Sequence, residues 1–232
     1  IAAGTTGHLA EAAQLLLVDA VETAGDWAAS VAALRELVAG RSVAAHWLRL
    51  ARAAENAGET AVALEAYSRV HYDHALSPEA PEATASRARL APALATASRD
   101  SLAVDLARAE RLYSARRYAD ARKAFEPLRA PAAGDDRQMV DLRLAQCDFF
   151  LKRHTAARGA LRAYLDRSTS RRAEAEFFHL SALREIGRHE EYVGLVRDFV
   201  ERYADSPLAE AALNDLGTHY ILANDDGKAA AV

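Results

Sequence analysis

Tyr118-Ala119-Asp120-Ala121-Arg122-Lys123-Ala124-Phe125 carries, in eight residues, the pattern on which the chain is built. A residue at a turn is followed three positions later by a small residue and four after that by a large apolar one: here Tyr118, Ala121 and Phe125. The cassette recurs as Thr60, Ala63, Tyr67 and as His154, Ala157, Leu161, and more loosely as Trp27, Ser30, Leu34 and as His189, Tyr192, Val196. Nine residues ahead of the turn position stands another small residue: Ala51, Ala109, Ala145 and, before Asp226, Gly217. Successive turn positions are separated by 33, 58, 36, 35 and 37 residues. A period near 34 marks stacked helical hairpins, because one hairpin cannot bury its apolar face alone. The predicted fold is all-α, a right-handed superhelix of stacked antiparallel helical hairpins, that is, an α-solenoid.

Composition agrees. Alanine is abundant and β-branched residues, glycine and proline are sparse, which favours helix because alanine loses no side-chain entropy on entering one. The formal net charge of -4 is small and charges of both signs are interspersed, so no basic stripe is present to neutralise a phosphate backbone, which argues against a nucleic-acid partner. Lysine occurs only at 123, 152 and 228; the other basic residues are arginine, read first as coding bias and second as bidentate recognition of carboxylates. The single Cys147 excludes an internal disulfide framework and reads as an inert buried thiol. No run of 18 apolar residues exists, so no membrane span is expected. The chain opens at Ile1 without an initiator methionine, a basic leader or a cleavage site, and reads as an excerpt.

Three blocks are expected: a first helical-hairpin block over 1–76, an irregular helical junction over 77–100, and a second hairpin block over 101–232. The first pair spans about His8–Glu22 and Trp27–Val38, with Gly25 taking the left-handed turn. Ser42 is the expected N-cap of the next helix, which carries Trp47, Leu50 and Ala54, and Asn56-Ala57-Gly58 closes it before a helix from Thr60 to about His74. Ser77-Pro78, Ala80-Pro81 and Pro92 break the rhythm, which accounts for the 58-residue interval. In the second block, helices are expected from Ser101 to Arg116, Tyr118 to Leu128 with Pro127 in its last turn, Arg137 to Leu151, His154 to Leu165, Arg171 to Ile186, His189 to Tyr203 and Pro207 to Ala223. The helix after Asp226 stops almost at once without a capping element, so more protein is expected to follow.

Motifs for chemistry are absent: no Gly-x-Ser-x-Gly elbow, no phosphate loop ending in Gly-Lys-Ser/Thr, no His-Glu-x-x-His and no dinucleotide fingerprint. Glu176 and His179 have the i, i+3 spacing of carboxylate-bridged dimetal sites, but no second such pair exists, and a solvated or capping histidine is the reading taken. His71, Asp73 and His74 cluster at a helix end, where a histidine meeting the helix dipole is preferred to a zinc ligand. Asn224-Asp225-Asp226-Gly227 lacks the alternating oxygen ligands of a calcium loop and is a turn. His154 and His189 fill the slot of Tyr118 and read as packing at a hairpin corner. No catalytic residue, metal site or cofactor is expected. If the first helix of each pair lines a concave face, Tyr113, Gln146, Phe149 and Arg184 point into the groove, with a core position as the alternative for Phe149.

Three segments carry a resemblance. They are Ala66-Tyr67-Ser68-Arg69-Val70-His71-Tyr72-Asp73-His74-Ala75-Leu76-Ser77-Pro78-Glu79-Ala80; Arg116 to Phe125; and Ala173-Glu174-Ala175-Glu176-Phe177-Phe178-His179-Leu180-Ser181-Ala182-Leu183-Arg184-Glu185, continued by Ser206 to Ile221. Together they resemble the superhelical, tetratricopeptide-like N-terminal region of bacterial soluble lytic murein transglycosylases, over most of residues 42 to 225. The resemblance implies a periplasmic enzyme that cleaves the MurNAc-GlcNAc bond of peptidoglycan without water, using a glutamate in a Glu-Ser motif of a C-terminal lysozyme-like domain. This chain holds no Glu-Ser dipeptide. Under the resemblance it is therefore a non-catalytic scaffold that positions glycan strands for a catalytic domain outside the sequence. The alternative is a tetratricopeptide-repeat adaptor that binds a protein or peptide in its groove.

Overall fold

The structure, a computed structural model, describes residues 2–91, 102–167 and 170–231, with side chains from residue 9 onward. Every regular element among them is helical, and the chain divides into two compact units, Ile1–Val104 and Asp105–Val232. The first unit holds α1 (Ala2–Thr23), α2 (Trp27–Gly40), α3 (Ala44–Asn56), α4 (Thr60–Asp73) and α5 (Ala80–Leu90). Next comes α6 (Leu102–Ser114), whose first turn runs through the division. The second unit continues with α7 (Tyr118–Phe125), a 3₁₀ turn over Glu126–Arg129, α8 (Gly134–Phe150), α9 (His154–Leu165), α10 (Arg172–Glu185), α11 (His189–Arg202), α12 (Pro207–Leu222) and the short α13 (Asp226–Ala229). Each helix packs on the next, from α1 to α5 and again from α7 to α13, and α10 also touches α8 and α12. Within each unit the fold is the expected tetratricopeptide-like stack of antiparallel hairpins.

The repeated cassette is what the packing buries. Ser30, Ala63, Ala121, Ala157 and Tyr192 lie at or below 1 % exposure, as do Leu34, Tyr67, Phe125, Leu161 and Val196 four residues on. Ala51, Ala109 and Ala145 are equally buried. An alanine there lets two helix axes approach to the short end of the 8–10 Å packing range. In the first unit these residues join one core with Val31, Leu37, Leu48, Leu50 and Val70. In the second, Leu142, Leu161 and Tyr164 anchor one cluster, and Leu183, Phe199 and Leu216 another.

The turns inside the hairpins repeat as faithfully as the core. Gly25, Gly58, Arg116, Lys152, Gly187 and Asn224 each take a left-handed conformation, with φ between 54° and 77°, two residues before the turn position of the cassette. At each, the left-handed residue's N–H donates to the carbonyl three residues back, and the next residue's N–H to the carbonyl five residues back, as in Lys152 to Phe149 and Arg153 to Asp148. This double bond satisfies carbonyls that a helix end leaves unpaired. Three of the six positions are not glycine, so the motif is held by the stacking as well as by the local sequence.

Several expectations need correction. Ser42 does not cap α3: the N-cap is Val43, without a side-chain bond, and Ser42 Oγ accepts instead from Trp47 Nε1 at 2.9 Å and lies 3.1 Å from His74 Nε2. The helix after the Ala130 loop starts at Gly134, three residues early, because a left-handed Gly134 (φ 54°) turns the chain directly into it. His179 is buried, not solvated, because the i, i+3 reading took no account of α9 and α11 closing over that face. His71 is also buried, with Nδ1 2.8 Å from Thr84 Oγ1 of α5, a helix that the expected junction did not resolve. Within that junction, Ala80–Leu90 is a regular helix packed on α4; residues 92–100 lie outside the described ones. Pro127 sits in the 3₁₀ turn that ends its hairpin.

Candidate binding face

The first helices of the second unit's hairpins, α6, α8, α10 and α12, are joined side by side through polar contacts. Arg143 of α8 is central. Its Nε donates to Glu110 Oε1 of α6 at 2.8 Å, and its Nη1 donates to Glu174 Oε1 of α10 and to Gln146 Oε1, both at 2.8 Å. Its guanidinium lies 4.5 Å from the centre of the Tyr113 ring. Gln146, fully buried, accepts from Tyr113 Oη at 3.0 Å and donates from Nε2 to Glu174 Oε1 at 2.9 Å. Burial works against the charge of Arg143, but Glu110 and Glu174 outweigh it and its pKa is raised. Burial raises the Tyr113 phenol as well.

Beside this network, at the α6–α7 and α8–α9 turns and at Phe178 in the middle of α10, lies a set of partly buried aromatic rings. Tyr118 stacks on Phe150 with centroids 4.2 Å apart and planes 11° apart. Phe150 meets Phe178 edge-on at 5.5 Å, Phe149 meets Phe178 at the same distance, and His154 closes on Phe149 at 5.1 Å. Such pairs prefer offset or edge-to-face geometry and rigidify one another.

Of the four residues nominated from the sequence, Tyr113 and Gln146 are therefore bonded to each other. Phe149 belongs to the aromatic set and also packs on the core cluster of Leu161 and Tyr164. Arg184 stands apart, joined by Nη1 to Asp215 of α12 at 2.8 Å. Sequence reading missed Arg143, Glu110, Glu174, Tyr118, Phe150 and Phe178. A signal was available: Glu110, Arg143 and Glu174 are opposite charges about one repeat apart, as are Arg184 and Asp215.

The same device recurs in the first unit. Arg49 of α3 donates to Glu22 of α1 at 2.7 Å, Arg52 to Glu82 of α5 at 2.7 Å, and Arg89 of α5 to Glu55 of α3 at 2.7 Å. Burial works against the Glu55 carboxylate, yet Tyr67 and Arg89 hold its pKa below the usual range. Tyr67, which donates to Glu55 at 2.7 Å, is pushed up to about 12, by burial first. Several arginines of both units thus pair with carboxylates of the neighbouring first helix.

Among the described residues no three histidine, cysteine or acidic side chains converge as metal ligands. Glu176 is held by Arg172 and Arg202, each at 2.8 Å, and Asp225 accepts from the Lys228 backbone and ammonium as the cap of α13. Cys147 is fully buried and its thiol is pushed up to about 12, first by burial. Among the described residues no helix is long and apolar enough to cross a membrane.

No family model matches the sequence, and no curated protein matches it. Among solved structures the chain is similar to a tetratricopeptide repeat protein from Parabacteroides merdae, at 12 % identity over 95 % of this chain and 76 % of that one, with a TM-score of 0.47. It is similar also to a thermophilic TPR protein of Thermus thermophilus, at 16 % identity over 89 % and 98 % of the two chains and a TM-score of 0.36. A third is the P58(IPK) TPR domain, at 14 % identity over 94 % and 70 % and a TM-score of 0.39. The tetratricopeptide-like assignment stands on the chain's own repeat and hairpin turns.

Proposed function

We propose that the chain is a non-catalytic binding scaffold that holds a polypeptide partner along α6, α8 and α10 of its second unit. One observation carries this reading: Tyr118, Phe150, Phe149 and Phe178 are only partly buried and stand in mutual contact next to a polar network whose charges already have partners. Rigid aromatic rings offer large contact area at little entropic cost, and preformed ion pairs require no reorganisation on binding. A partner on this face is held by its apolar side chains more than by its charge.

Selection of random peptides on the whole chain tests this. Selected peptides should bind Phe150→Ala at least tenfold more weakly, the loss of a buried aromatic anchor. Peptides that bind wild type and Phe150→Ala alike would contradict the proposal.

The segments that resemble lytic murein transglycosylases support a second reading, in which the scaffold works in the periplasm beside a catalytic domain and its face meets peptidoglycan. Retention of the chain on purified sacculi supports that reading; passage through them speaks for the polypeptide partner.

A further inference from the structure

The hairpin turns of the second unit carry a gradient of charge along the edge where the aromatic rings stand. Their left-handed positions read Arg116, Lys152, Gly187 and Asn224, and the positions that follow read Arg117, Arg153, Arg188 and Asp225. The first two turns therefore bring two cations each, and the last brings Asp225 with Asp226. Tyr118 stacked on Phe150, at 4.2 Å, sets the first two turns side by side, since Arg116 lies two residues before that tyrosine and Lys152 two after that phenylalanine.

Most cations of these turns are already matched. Arg117 holds Asp120 at 2.7 Å and Arg188 holds Glu191 at 2.9 Å. Arg122 and Arg153 share Asp148, at 2.8 and 3.2 Å, and Glu126 lies 3.4 Å from Arg122, so that group is neutral. At the third turn Glu185 lies 3.4 Å from Arg184 and 3.8 Å from His154. Arg116 and Lys152 differ: both are exposed, and among the described residues neither forms an ion pair. The turn itself does not call for them, because a left-handed backbone favours glycine or asparagine, the residues that the other turns use.

A partly buried aromatic set flanked by two unpaired cations selects a partner that carries carboxylates next to its apolar side chains. We infer that the polypeptide held on this face is an acidic one, its aspartate or glutamate side chains meeting Arg116 and Lys152 while its apolar residues lie on Tyr118, Phe150 and Phe178. The inference rests on the binding face proposed above and adds the partner's charge and its placement, with the carboxylates at the α6–α8 end and away from Asp225 and Asp226. Exposed ion pairs contribute little to affinity, so the rings hold the partner and the cations select and steer it. A single-stranded nucleic acid fits less well: two free cations cannot follow a phosphate backbone, and Tyr118 and Phe150 spend a face of each ring on one another instead of on a base.

Peptides selected from a random library on the whole chain, and in parallel on an Arg116→Glu, Lys152→Glu variant, test it. Both positions are exposed, so the variant should keep the wild-type circular dichroism, and Arg116→Gln, Lys152→Gln replaces it if the reversal perturbs the fold. Peptides from wild type should carry an excess of aspartate and glutamate beside their apolar residues and bind the variant roughly three- to thirtyfold more weakly. Most of that difference should vanish at about 0.5 M salt, where the screening length falls to about 4 Å. Peptides from the variant should lose the acidic excess. The inference is overturned if the wild-type pool shows no such excess, if the excess persists in the variant pool, or if the variant binds the wild-type pool undiminished. A pool that depends on Phe150 but not on Arg116 and Lys152 overturns this inference alone, whereas a pool indifferent to Phe150 removes the proposed face with it. Labelled oligodeoxythymidylate that binds wild type, displaces the selected peptides and fails to bind the variant would also overturn it, in favour of a nucleic acid.

Discussion

Arg143 and Glu174, on first helices one repeat apart, meet at 2.8 Å, and the same arginine reaches back to Glu110 on the repeat before. One guanidinium thus ties three hairpins together. With only 14 % of its side chain exposed, it is removed at a cost, because Glu110, Glu174 and Gln146 each lose a donor and the two carboxylates lose their positive partner. Arg143→Met should lower stability by about 2–3 kcal/mol in urea unfolding. A loss below about 0.5 kcal/mol, the range of an ordinary surface substitution, would show the network to be decorative.

At the hairpin turns, the left-handed residues separate backbone from side-chain effects. Gly187 has φ 77° and a Cβ there would meet only His189 Nε2, at 4.0 Å, so the cost of Gly187→Ala is conformational. It should be about 1 kcal/mol. Lys152→Gly, at φ 63°, should leave stability unchanged or raise it by up to about 1 kcal/mol. Thermal melts should show a lowered midpoint for Gly187→Ala and no lowering for Lys152→Gly; a common downward shift would mean that the turns are held by side chains.

The small cassette positions are closed to larger residues. Ala121 has no exposed surface, and Ala121→Leu should destabilise by about 1–3 kcal/mol through overpacking, while Phe125→Ala should cost about 3–5 kcal/mol by opening a cavity. Denaturant midpoints of both variants check this, and a neutral Ala121→Leu would refute close packing at the helix crossing.

Burial lowers the pKa of both His179 and His219, the latter also through His189, on which its ring stacks at 4.9 Å. A base depressed in the folded state binds its proton in the unfolded state first. The stability it contributes is complete above the unfolded histidine value of about 6.5 and declines as pH falls below it. Unfolding free energy should therefore drop between about pH 7 and pH 5, before Glu55 and Glu82, whose pKa values are also depressed, begin to lose theirs. A His179→Phe, His219→Gln variant should show a flatter profile in that window, measured by urea unfolding at stepped pH.

Cys147, with its thiol pushed up to about 12, should resist thiol reagents in the folded chain and react fully in denaturant. Rapid labelling at pH 8 without denaturant would place the residue outside the core.

How far the sequence can be read follows from what each interaction depends on. Ala121, Phe125 and their counterparts were legible because core packing repeats with the hairpin and leaves a period in residue size. Gly25 and Gly58 announce the left-handed turns, whereas Arg116 and Lys152 hide them, since there the stacked helices impose a conformation that the residue type does not favour. Tyr113 and Gln146 could be placed on one face from their helical positions, but their bond depends on the axial offset between α6 and α8, which no single helix encodes. The burial of His179 was illegible for a related reason, because it is produced by α9 and α11 closing over α10.

The central claim is that a partner lies along the first helices of the second unit. A selected peptide carrying a spin label tests it most directly, through the residues whose NMR signals it broadens. The account predicts broadening centred on Tyr118, Phe150 and Phe178. Broadening confined to the exposed residues of α9 and α11, with those three untouched, would contradict it.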